Sequence, residues 1–325
     1  MITSAGAEQP VSAGLPFLIT IFAPDGIGEV EPGTDLAGIL LGAIDSSPEG
    51  PLRDGDILVV TSKIISKAEG RIRPVTRRAE LITSETKRTV ARRGETRIVR
   101  TRAGLTIAAA GVDNSNLSPE SILLLPSDPD ASAGLLRERL AAATGLQLGV
   151  IISDTAGRPW RLGQTDHAIG ISGVRAVEDY VGTRDAYGNE LQVTAIAVAD
   201  EIAAAADLAK GKLRGRPVAV VRGLGHLVSE ADSAARKLLR DPASDMFGYG
   251  SREAVLAAAL AATGQLHRYE ELVALDGAER TPRLLAGASL SEEAADLLRA
   301  IMSVDLQTDG TQQVEIDSRL LETDR

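Results

Sequence analysis

Cysteine is absent from this 325-residue chain, and aromatic residues make up only 2% of it. The absence of cysteine excludes disulfides, thiolate nucleophiles and cysteine-ligated metal clusters, and it is typical of cytosolic enzymes. One tryptophan, three phenylalanines and four tyrosines offer few surfaces on which the bases of single-stranded nucleic acid could stack. The core must therefore consist mainly of aliphatic residues, and nucleic acid is not an expected partner.

Long apolar runs are also missing, since none approaches the roughly 20 residues that a membrane-spanning helix needs. Residues 1–14 lack both the basic part and the sustained apolar part of a secretory leader. We therefore expect a cytoplasmic protein with no membrane partner. A hydrophobic content of 44% is enough for the core of one large domain or of two ordinary ones.

Positive charge is concentrated in one segment, although the formal net charge of the chain is −10. Residues 62–102 contain 13 lysines and arginines and four glutamates, an excess of nine positive charges. Such a segment is either a solvated basic face or an electrostatic funnel for a polyanionic substrate such as a nucleotide. A single basic segment in an acidic chain favours a localised anion site.

Polar residues directly follow a short apolar run at residues 56–61, which reads as a buried strand. The next residues include Ser62 and Lys67. Lysine is a compact point charge that neutralises phosphate well, so this pattern suits a triphosphate. The alternative is that these residues only form the polar start of a helix.

Two further apolar runs, residues 105–112 and 148–152, also read as strands and end in polar residues. Asp113 follows the first run, and Asp154 and Thr155 follow the second. If both strands end at the same edge of one sheet, the two carboxylates lie side by side and bind Mg²⁺ or Mn²⁺ together with substrate phosphates. The alternative is that Asp154 and Thr155 cap a turn.

The remaining pattern predicts alternating helices, strands and loops. Predicted helices begin near Asp35 and cover residues 133–144, 194–210, 253–263 and 291–302; a strand covers 216–222; turns cover 157–159 and 184–190; loops cover 119–132 and 276–289.

Four motifs occur in order: GDILVVTSKIISKAEGR, AAAGVDNSN, ISDTAGRPWRLGQTDHAIGISG and KGKLRGRPVAVVRG. Together they resemble the coenzyme F420-0:L-glutamate ligases, the γ-glutamyl ligases that lengthen the tail of the deazaflavin F420. The resemblance implies an α+β protein with the mixed-sheet F420 γ-glutamyl ligase-like fold, which works as a homodimer. It covers roughly residues 15–250, and a helical C-terminal extension is expected over residues 251–325.

The resemblance also implies GTP as co-substrate, Mg²⁺ or Mn²⁺, and a monovalent cation such as K⁺. The implied metal ligands are Asp113, Asp154 and Thr155, and Lys67 joins the two aspartates as a catalytic residue. The implied nucleotide-binding residues are Ile27, Gly28, Glu29, Val30, Ser62, Lys67 and Asn116.

This chain departs from the family pattern at three positions. Gly28 replaces the proline of a segment that usually reads like GLPEI, so the loop should be less rigid. Lys212 stands where some archaeal members carry a glutamine associated with a second metal, which a charged lysine cannot ligate. His167 replaces a residue that is commonly small and apolar, and packing is its expected role.

The implied reaction transfers the γ-phosphoryl group of GTP to the terminal carboxylate of F420-0, and the amine of L-glutamate then displaces phosphate from the acyl phosphate. Arg158 and Arg161 are expected to bind the phosphodiester or a carboxylate of the deazaflavin. Two alternatives remain: a metal-dependent nucleotide phosphohydrolase, and a non-catalytic nucleotide-binding protein.

Residues 251–325 are expected to form no flavin domain. They number 75, contain one aromatic residue, Tyr269, and lack the basic clustering typical of a flavin phosphate site. The two helices predicted there should pack on the ligase body or across a dimer. The polar end from Asp305 onward is expected to fray.

Overall fold

A computed structural model describes residues 18–231 and 233–303 of the chain. The chain divides into two compact units. The first takes in residues up to Ala68, then Pro129–Asp154 and Asp166–Ala235. The second takes in Glu69–Asp128, Thr155–Thr165 and the residues from Arg236 onward.

Strands and helices are mixed along the described chain. The strands are β1 (Thr20–Phe22), β2 (Ile57–Thr61), β3 (Ile72–Pro74), β4 (Thr86–Arg93), β5 (Thr96–Thr101), β6 (Thr106–Ala108), β7 (Ser121–Leu123), β8 (Gly149–Arg158), β9 (Arg161–Ser172), β10 (Glu178–Asp179), β11 (Ala195–Ile196) and β12 (Val218–Arg222). The helices are α1 (Leu36–Asp45), α2 (Ser62–Ala68), α3 (Arg78–Glu85), α4 (Pro129–Thr144), α5 (Val198–Lys210), α6 (Ser251–Ala262), α7 (Tyr269–Val273), α8 (Gly277–Ala286) and α9 (Glu292–Ser303).

The first unit is built on a five-stranded sheet in the order β1-β12-β2-β8-β9. The sheet is mixed, because β12 pairs antiparallel with both β1 and β2, whereas β2 and β8 are parallel. The side chains of Ile57–Val60 in β2 and of Val150–Ile152 in β8 are fully buried. Burial on both faces explains why these strands read as continuous apolar runs. The strands predicted at residues 56–61, 148–152 and 216–222 are therefore confirmed.

The helix predicted over residues 194–210 ends where expected, but α5 begins only at Val198, because residues 195–196 form β11. Gly211 has a φ of 61°, a left-handed conformation that costs glycine little and a side-chain-bearing residue more. The predicted helix over residues 133–144 is also present, although α4 begins earlier, at Pro129. Proline is well tolerated at the first position of a helix, because its missing N–H would have no helical partner there.

The second unit contains the three-stranded sheet β4-β5-β6 and the strand pair β3-β7. One apolar cluster of this unit joins α3 to β5 and β7 and includes Leu81, Val99 and Ile122. A second cluster joins helices α6, α7 and α8 and includes Leu256, Leu260 and Leu272. The helices predicted over 253–263 and 291–302 are confirmed as α6 and α9.

Three local predictions are wrong. The run at residues 105–112 is not one strand, because β6 ends at Ala108 and a 3₁₀ turn follows, in which Ala109 and Ala110 have positive φ. The predicted loop over 276–289 contains helix α8, whose N-cap is Asp276, with its side chain accepting from the amide of Glu279. The predicted loop over 119–132 contains β7 and the start of α4.

The domain bounds 15–250 and 251–325 stay a prediction, and the compact units follow different bounds. In the second unit α6 and α7 bond to β4 through side chains. The two carboxylate oxygens of Glu270 in α7 accept hydrogen bonds of 2.9 Å from the amide and the hydroxyl of Thr89. The carboxylate of Glu253 in α6 accepts a hydrogen bond of 3.0 Å from the amide of Arg92. Residues 15–17 and 304–325, including the end predicted to fray, lie outside the described residues. None of the helices described here is long and apolar enough to cross a membrane.

Candidate active site

Ser62 and Asp154 are brought together by the parallel pairing of β2 and β8. In this pair Thr61 lies opposite Ser153, so the residues that follow emerge at the same edge of the sheet. The hydroxyl of Ser62 donates to Oδ1 of Asp154 at 2.9 Å. Because Ser62 is buried, this contact holds the carboxylate of Asp154, which lies within β8, just beyond the end of β2. Two predicted site residues are therefore neighbours.

The expectation that Asp113 and Asp154 follow strands of the same sheet is wrong. The strand before Asp113 is β6, which pairs with β5 in the second unit, whereas β8 pairs with β2 in the first. Apolar runs indicate strands but do not show which sheet each strand joins. Asp154 instead has Ser62 beside it.

Asp113 is held by its own turn within the second unit. Its Oδ1 accepts from the amides of Asn114 and Ser115 at 2.8 and 3.0 Å, and its Oδ2 accepts from the hydroxyl of Ser115 at 2.7 Å. Asn116, the predicted nucleotide contact, has a φ of 57°, a conformation that asparagine tolerates better than most residues. This turn therefore fixes the position of the Asp113 carboxylate.

Lys67 and Glu29 form an ion pair at 2.8 Å that joins two segments predicted to bind nucleotide. The side chain of Lys67 is 12% exposed, whereas that of Glu29 is 80% exposed. The hydrogen bond from Lys67 lowers the pKa of Glu29 below its usual value. The segment around Glu29 also contains Ile27, which is half-buried, the exposed Gly28 and the buried Val30. Lys67 is thus mostly buried, and its ammonium group is paired with one exposed carboxylate.

Ser66, one residue before Lys67, carries a buried hydroxyl without a hydrogen-bond partner among the described residues. The residue is 1% exposed. A buried hydroxyl normally has a partner, because losing water without replacement costs about 1–3 kcal/mol. This unsatisfied group lies in the segment predicted to contact the triphosphate.

The sequence analysis did not predict a buried ion pair between β9 and α5. The ammonium group of Lys210 donates to Oδ2 of Asp166 at 2.8 Å and to the hydroxyl of Ser153 at 2.9 Å, and Ser153 donates to the same carboxylate oxygen at 2.7 Å. All three residues are buried. The sequence did contain a signal for the burial of Lys210, because this residue is four positions after Ala206 and therefore lies on the same buried face of α5.

The hairpin between β8 and β9 carries the other predicted substrate-binding residues. The strand continues through Thr155 to Arg158, so the turn predicted at 157–159 lies further along, at Pro159 and Trp160. Arg158 donates from Nη2 to the carbonyl oxygen of Leu162 at 3.1 Å. Arg161 is exposed and has no hydrogen bond or ion pair within residues 18–231 and 233–303.

The two remaining departures from the family pattern occupy different environments. His167 is half-buried on β9, and its Nδ1 is buried without a partner among the described residues. Lys212 is exposed in the turn after α5. Within the described ranges, histidine, aspartate and glutamate side chains form no group of three or more that could hold a metal ion.

A cavity of about 540 Å³ lies in the first unit beside β1 and the C-terminal end of α5. Arg216 lines it and binds Asp25 through two hydrogen bonds of 2.6 and 2.7 Å, which lower the pKa of Asp25. None of the predicted site residues lines this cavity. Size alone therefore does not mark it as the active site.

Comparison with known proteins identifies the family. Residues 26–223 match the family model described as F420-0:Gamma-glutamyl ligase. A coenzyme F420:L-glutamate ligase from Archaeoglobus fulgidus is 42% identical over 228 residues, which is 63% of this chain and 88% of that protein. Proteins of the same name from Methanothermobacter thermautotrophicus and Haloarcula marismortui are 38% and 36% identical over 251 and 261 residues, covering 70% and 72% of this chain and 98% and 97% of theirs.

The mixed α and β fold and these relatives define an enzyme of the ligase class. The chain belongs to the F420-0:gamma-glutamyl ligase family.

Proposed function

We propose that this enzyme forms an amide bond between the carboxylate of coenzyme F420-0 and the amine of L-glutamate, at the expense of GTP and with a divalent metal ion. The observation that carries this function is that family membership coincides with a cluster of the required residue types at the start of α2 and within β8. Helix α2 supplies both Ser62, which contacts Asp154, and Lys67, whose ammonium group is paired with the exposed carboxylate of Glu29. Phosphoryl transfer needs such oxygen ligands and a phosphate-binding cation.

The proposed metal ligands are Asp113, Asp154 and Thr155, two carboxylates and one hydroxyl. These hard oxygen donors fit Mg²⁺ or Mn²⁺, and Mg²⁺ is commonly bound by one or two carboxylates together with substrate phosphates. A bound divalent ion would neutralise charge on the phosphates and orient them. A positively charged Lys212 cannot ligate a second ion, so we propose that any second metal site does not use this side chain.

The chemistry follows from the weakness of a carboxylate as an acylating agent. Transfer of the γ-phosphoryl group of GTP gives an acyl phosphate on F420-0, and the amine of glutamate then displaces inorganic phosphate. Lys67 offsets the charge that develops on the transferred group, after the phosphate has taken the place of Glu29 on its ammonium group. The buried hydroxyl of Ser66 supports a polar ligand at this segment. No step requires a protein nucleophile, which agrees with the absence of cysteine.

We further propose that the enzyme is a cytoplasmic homodimer that uses K⁺ or a similar monovalent cation, as the family resemblance implies. Ile27, Gly28, Glu29, Val30, Ser62, Lys67 and Asn116 are the proposed nucleotide-binding residues, with Glu29 contributing through its backbone, because its carboxylate leaves Lys67 when the phosphate binds.

One set of incubations tests the function against its alternatives. Protein, GTP, Mg²⁺, F420-0 and glutamate are combined, each is omitted in turn, and products are measured by mass spectrometry. The proposed ligase adds a glutamyl residue only in the complete mixture. Asp154→Asn should abolish this product, whereas Glu201→Gln, a change at an exposed position of α5, should not. Loss of GTP that needs neither F420-0 nor glutamate would indicate a phosphohydrolase instead, and nucleotide binding without any turnover would indicate a binding protein.

A further inference from the structure

Trp160, the only tryptophan of the chain, lies in solvent at the tip of the β8–β9 hairpin, with 81% of its surface exposed. Its φ is 60°, a left-handed conformation that is a genuine outlier for a bulky residue. Glycine or asparagine would adopt this conformation at a lower cost. Strained residues of this kind concentrate at ligand-binding sites, where the strain is retained for function.

A second exposed aromatic residue of the same unit packs against Trp160. The ring centroids of Trp160 and Phe247 are 4.8 Å apart and their planes are 73° from parallel, an edge-to-face contact. Phe247 is 46% exposed, and its neighbour Met246 is 82% exposed. Exposing a pair of aromatic rings to water costs free energy, so such a pair indicates a binding surface for a ligand or a protein.

Guanidinium groups flank the tryptophan in the hairpin. Arg161 follows it directly and is exposed with no partner within the described ranges. Arg158 comes two residues before it, and its Nε is buried with no hydrogen-bond partner among the described residues. The carboxylate of Asp245 is also in this unit, but its Oδ1 accepts from the amide of Phe247 at 2.9 Å and so holds that loop. Aromatic and cationic groups thus occur together at the hairpin tip.

We propose that Trp160, held by its edge-to-face contact with Phe247, forms a stacking platform for a planar, fused-ring anion, and that Arg161 binds the phosphate or carboxylate of this ligand. If the proposed function is correct, on which this assignment rests, the ligand is the deazaflavin of F420-0. Stacking on an aromatic side chain is worth about 1–3 kcal/mol per base in nucleic-acid complexes, enough to position a ring system of similar size.

A second copy of the chain is a weaker explanation for this surface. A stable protein interface buries about 800 Å² on each partner and has an apolar centre depleted in charge. Here Arg161 directly follows Trp160 in the hairpin, is exposed and has no side-chain partner among the described residues, a combination that matches a small aromatic anion better.

The test is direct binding of F420-0 to the full-length protein without GTP or glutamate. Because Trp160 is the sole tryptophan, quenching of its emission reports the platform in the wild type, and equilibrium dialysis gives Kd for every variant. Trp160→Ala and Phe247→Ala should each raise Kd for F420-0 by roughly tenfold. Tyr187→Ala provides a matched control, because Tyr187 is an aromatic residue that is 92% exposed but belongs to the first unit. The Kd of this variant for F420-0 should equal that of the wild type.

A glycine variant separates binding from folding. Trp160→Gly relieves the left-handed strain, so its Tm should equal or exceed that of the wild type while its Kd for F420-0 rises as in Trp160→Ala. Unchanged Kd values in these variants, in a wild type that does form the glutamyl product, would overturn the platform and leave the proposed function intact. Failure of the wild type to bind F420-0 at all would overturn both. Conversion of a wild-type dimer to a monomer by Trp160→Ala, with Kd unchanged, would assign the surface to a second copy.

Discussion

Lys67 and Glu29 lie 38 residues apart in the chain and form an ion pair at 2.8 Å. The lysine is mostly buried and the glutamate is mostly exposed, so the carboxylate is the partner that can leave. An incoming triphosphate would offer more negative charge than one carboxylate and would replace it. The pair therefore neutralises a mostly buried cation, and under the proposed function Glu29 would do so until nucleotide binds.

Variants of this pair should have opposite effects on nucleotide binding. Lys67→Ala should lower kcat/KM for GTP by roughly 100-fold, because the charge that offsets the transferred phosphoryl group is lost. Glu29→Gln should lower KM for GTP, because the phosphate no longer competes with a carboxylate. Steady-state kinetics measure both effects, and Glu31→Gln, an exposed change two residues away, is the control. A rise in KM for Glu29→Gln similar to that of Lys67→Ala would contradict this role for Glu29.

The metal ligands proposed for this enzyme should act as one unit. Asp113→Asn and Asp154→Asn should each lower kcat/KM by roughly 100-fold or more, since a shared ion supplies several kcal/mol of charge stabilisation. The double variant should lose less than the product of the two single losses, because the second change removes little once the ion is gone. Activity is measured over a range of Mg²⁺ concentrations. Strictly multiplicative losses would show that the two aspartates act independently.

The buried pair of Lys210 and Asp166 should matter for stability. Lys210→Met leaves a carboxylate buried without its cation and should cost about 3–5 kcal/mol in the free energy of unfolding. The double variant Lys210→Met with Asp166→Leu should recover most of this loss, because no unpaired charge remains. Urea denaturation at one pH gives the values, and the exposed Lys212→Met should match the wild type. A double variant as unstable as the single one would show that the charges are not the cause.

The helices beyond residue 250 should stabilise the second unit. Leu260 of α6 is fully buried among α7 and α8, so Leu260→Ala should cost about 2–5 kcal/mol. The control is Leu297→Ala on α9, where the side chain is half exposed and the expected cost is below about 1 kcal/mol. Thermal and urea unfolding measure both. Equal stabilities of the two variants would indicate that these helices are not part of a stabilising core.

The central sheet and half of the candidate site could be predicted because their causes are local. β2, β12 and the first half of β8 are buried on both faces, so they read as short apolar runs, and parallel pairing of β2 with β8 then places Ser62 beside Asp154. The sequence carried no signal for the positive φ of Ala109 and Ala110, which end the strand before Asp113.

Other features depended on tertiary context. Residues 276–289 were predicted to form a loop, yet α8 forms there because its apolar side packs on α7 and buries Leu284. The contact of Lys67 with Glu29 depends on the path of a glycine-containing loop, which no periodicity specifies. The buried Lys210 was masked by the rule that lysine is normally exposed.

Isotope transfer tests the proposed reaction most directly. F420-0 labelled with ¹⁸O in its terminal carboxylate is incubated with the enzyme, GTP, Mg²⁺ and glutamate, and the products are analysed by mass spectrometry. Phosphorylation of the carboxylate followed by attack of the amine predicts one ¹⁸O atom in inorganic phosphate for each glutamyl residue joined to the first carboxylate. Glutamyl product with unlabelled phosphate would contradict the acyl-phosphate route, and labelled F420-0 recovered unchanged beside hydrolysed GTP would contradict the ligase function itself.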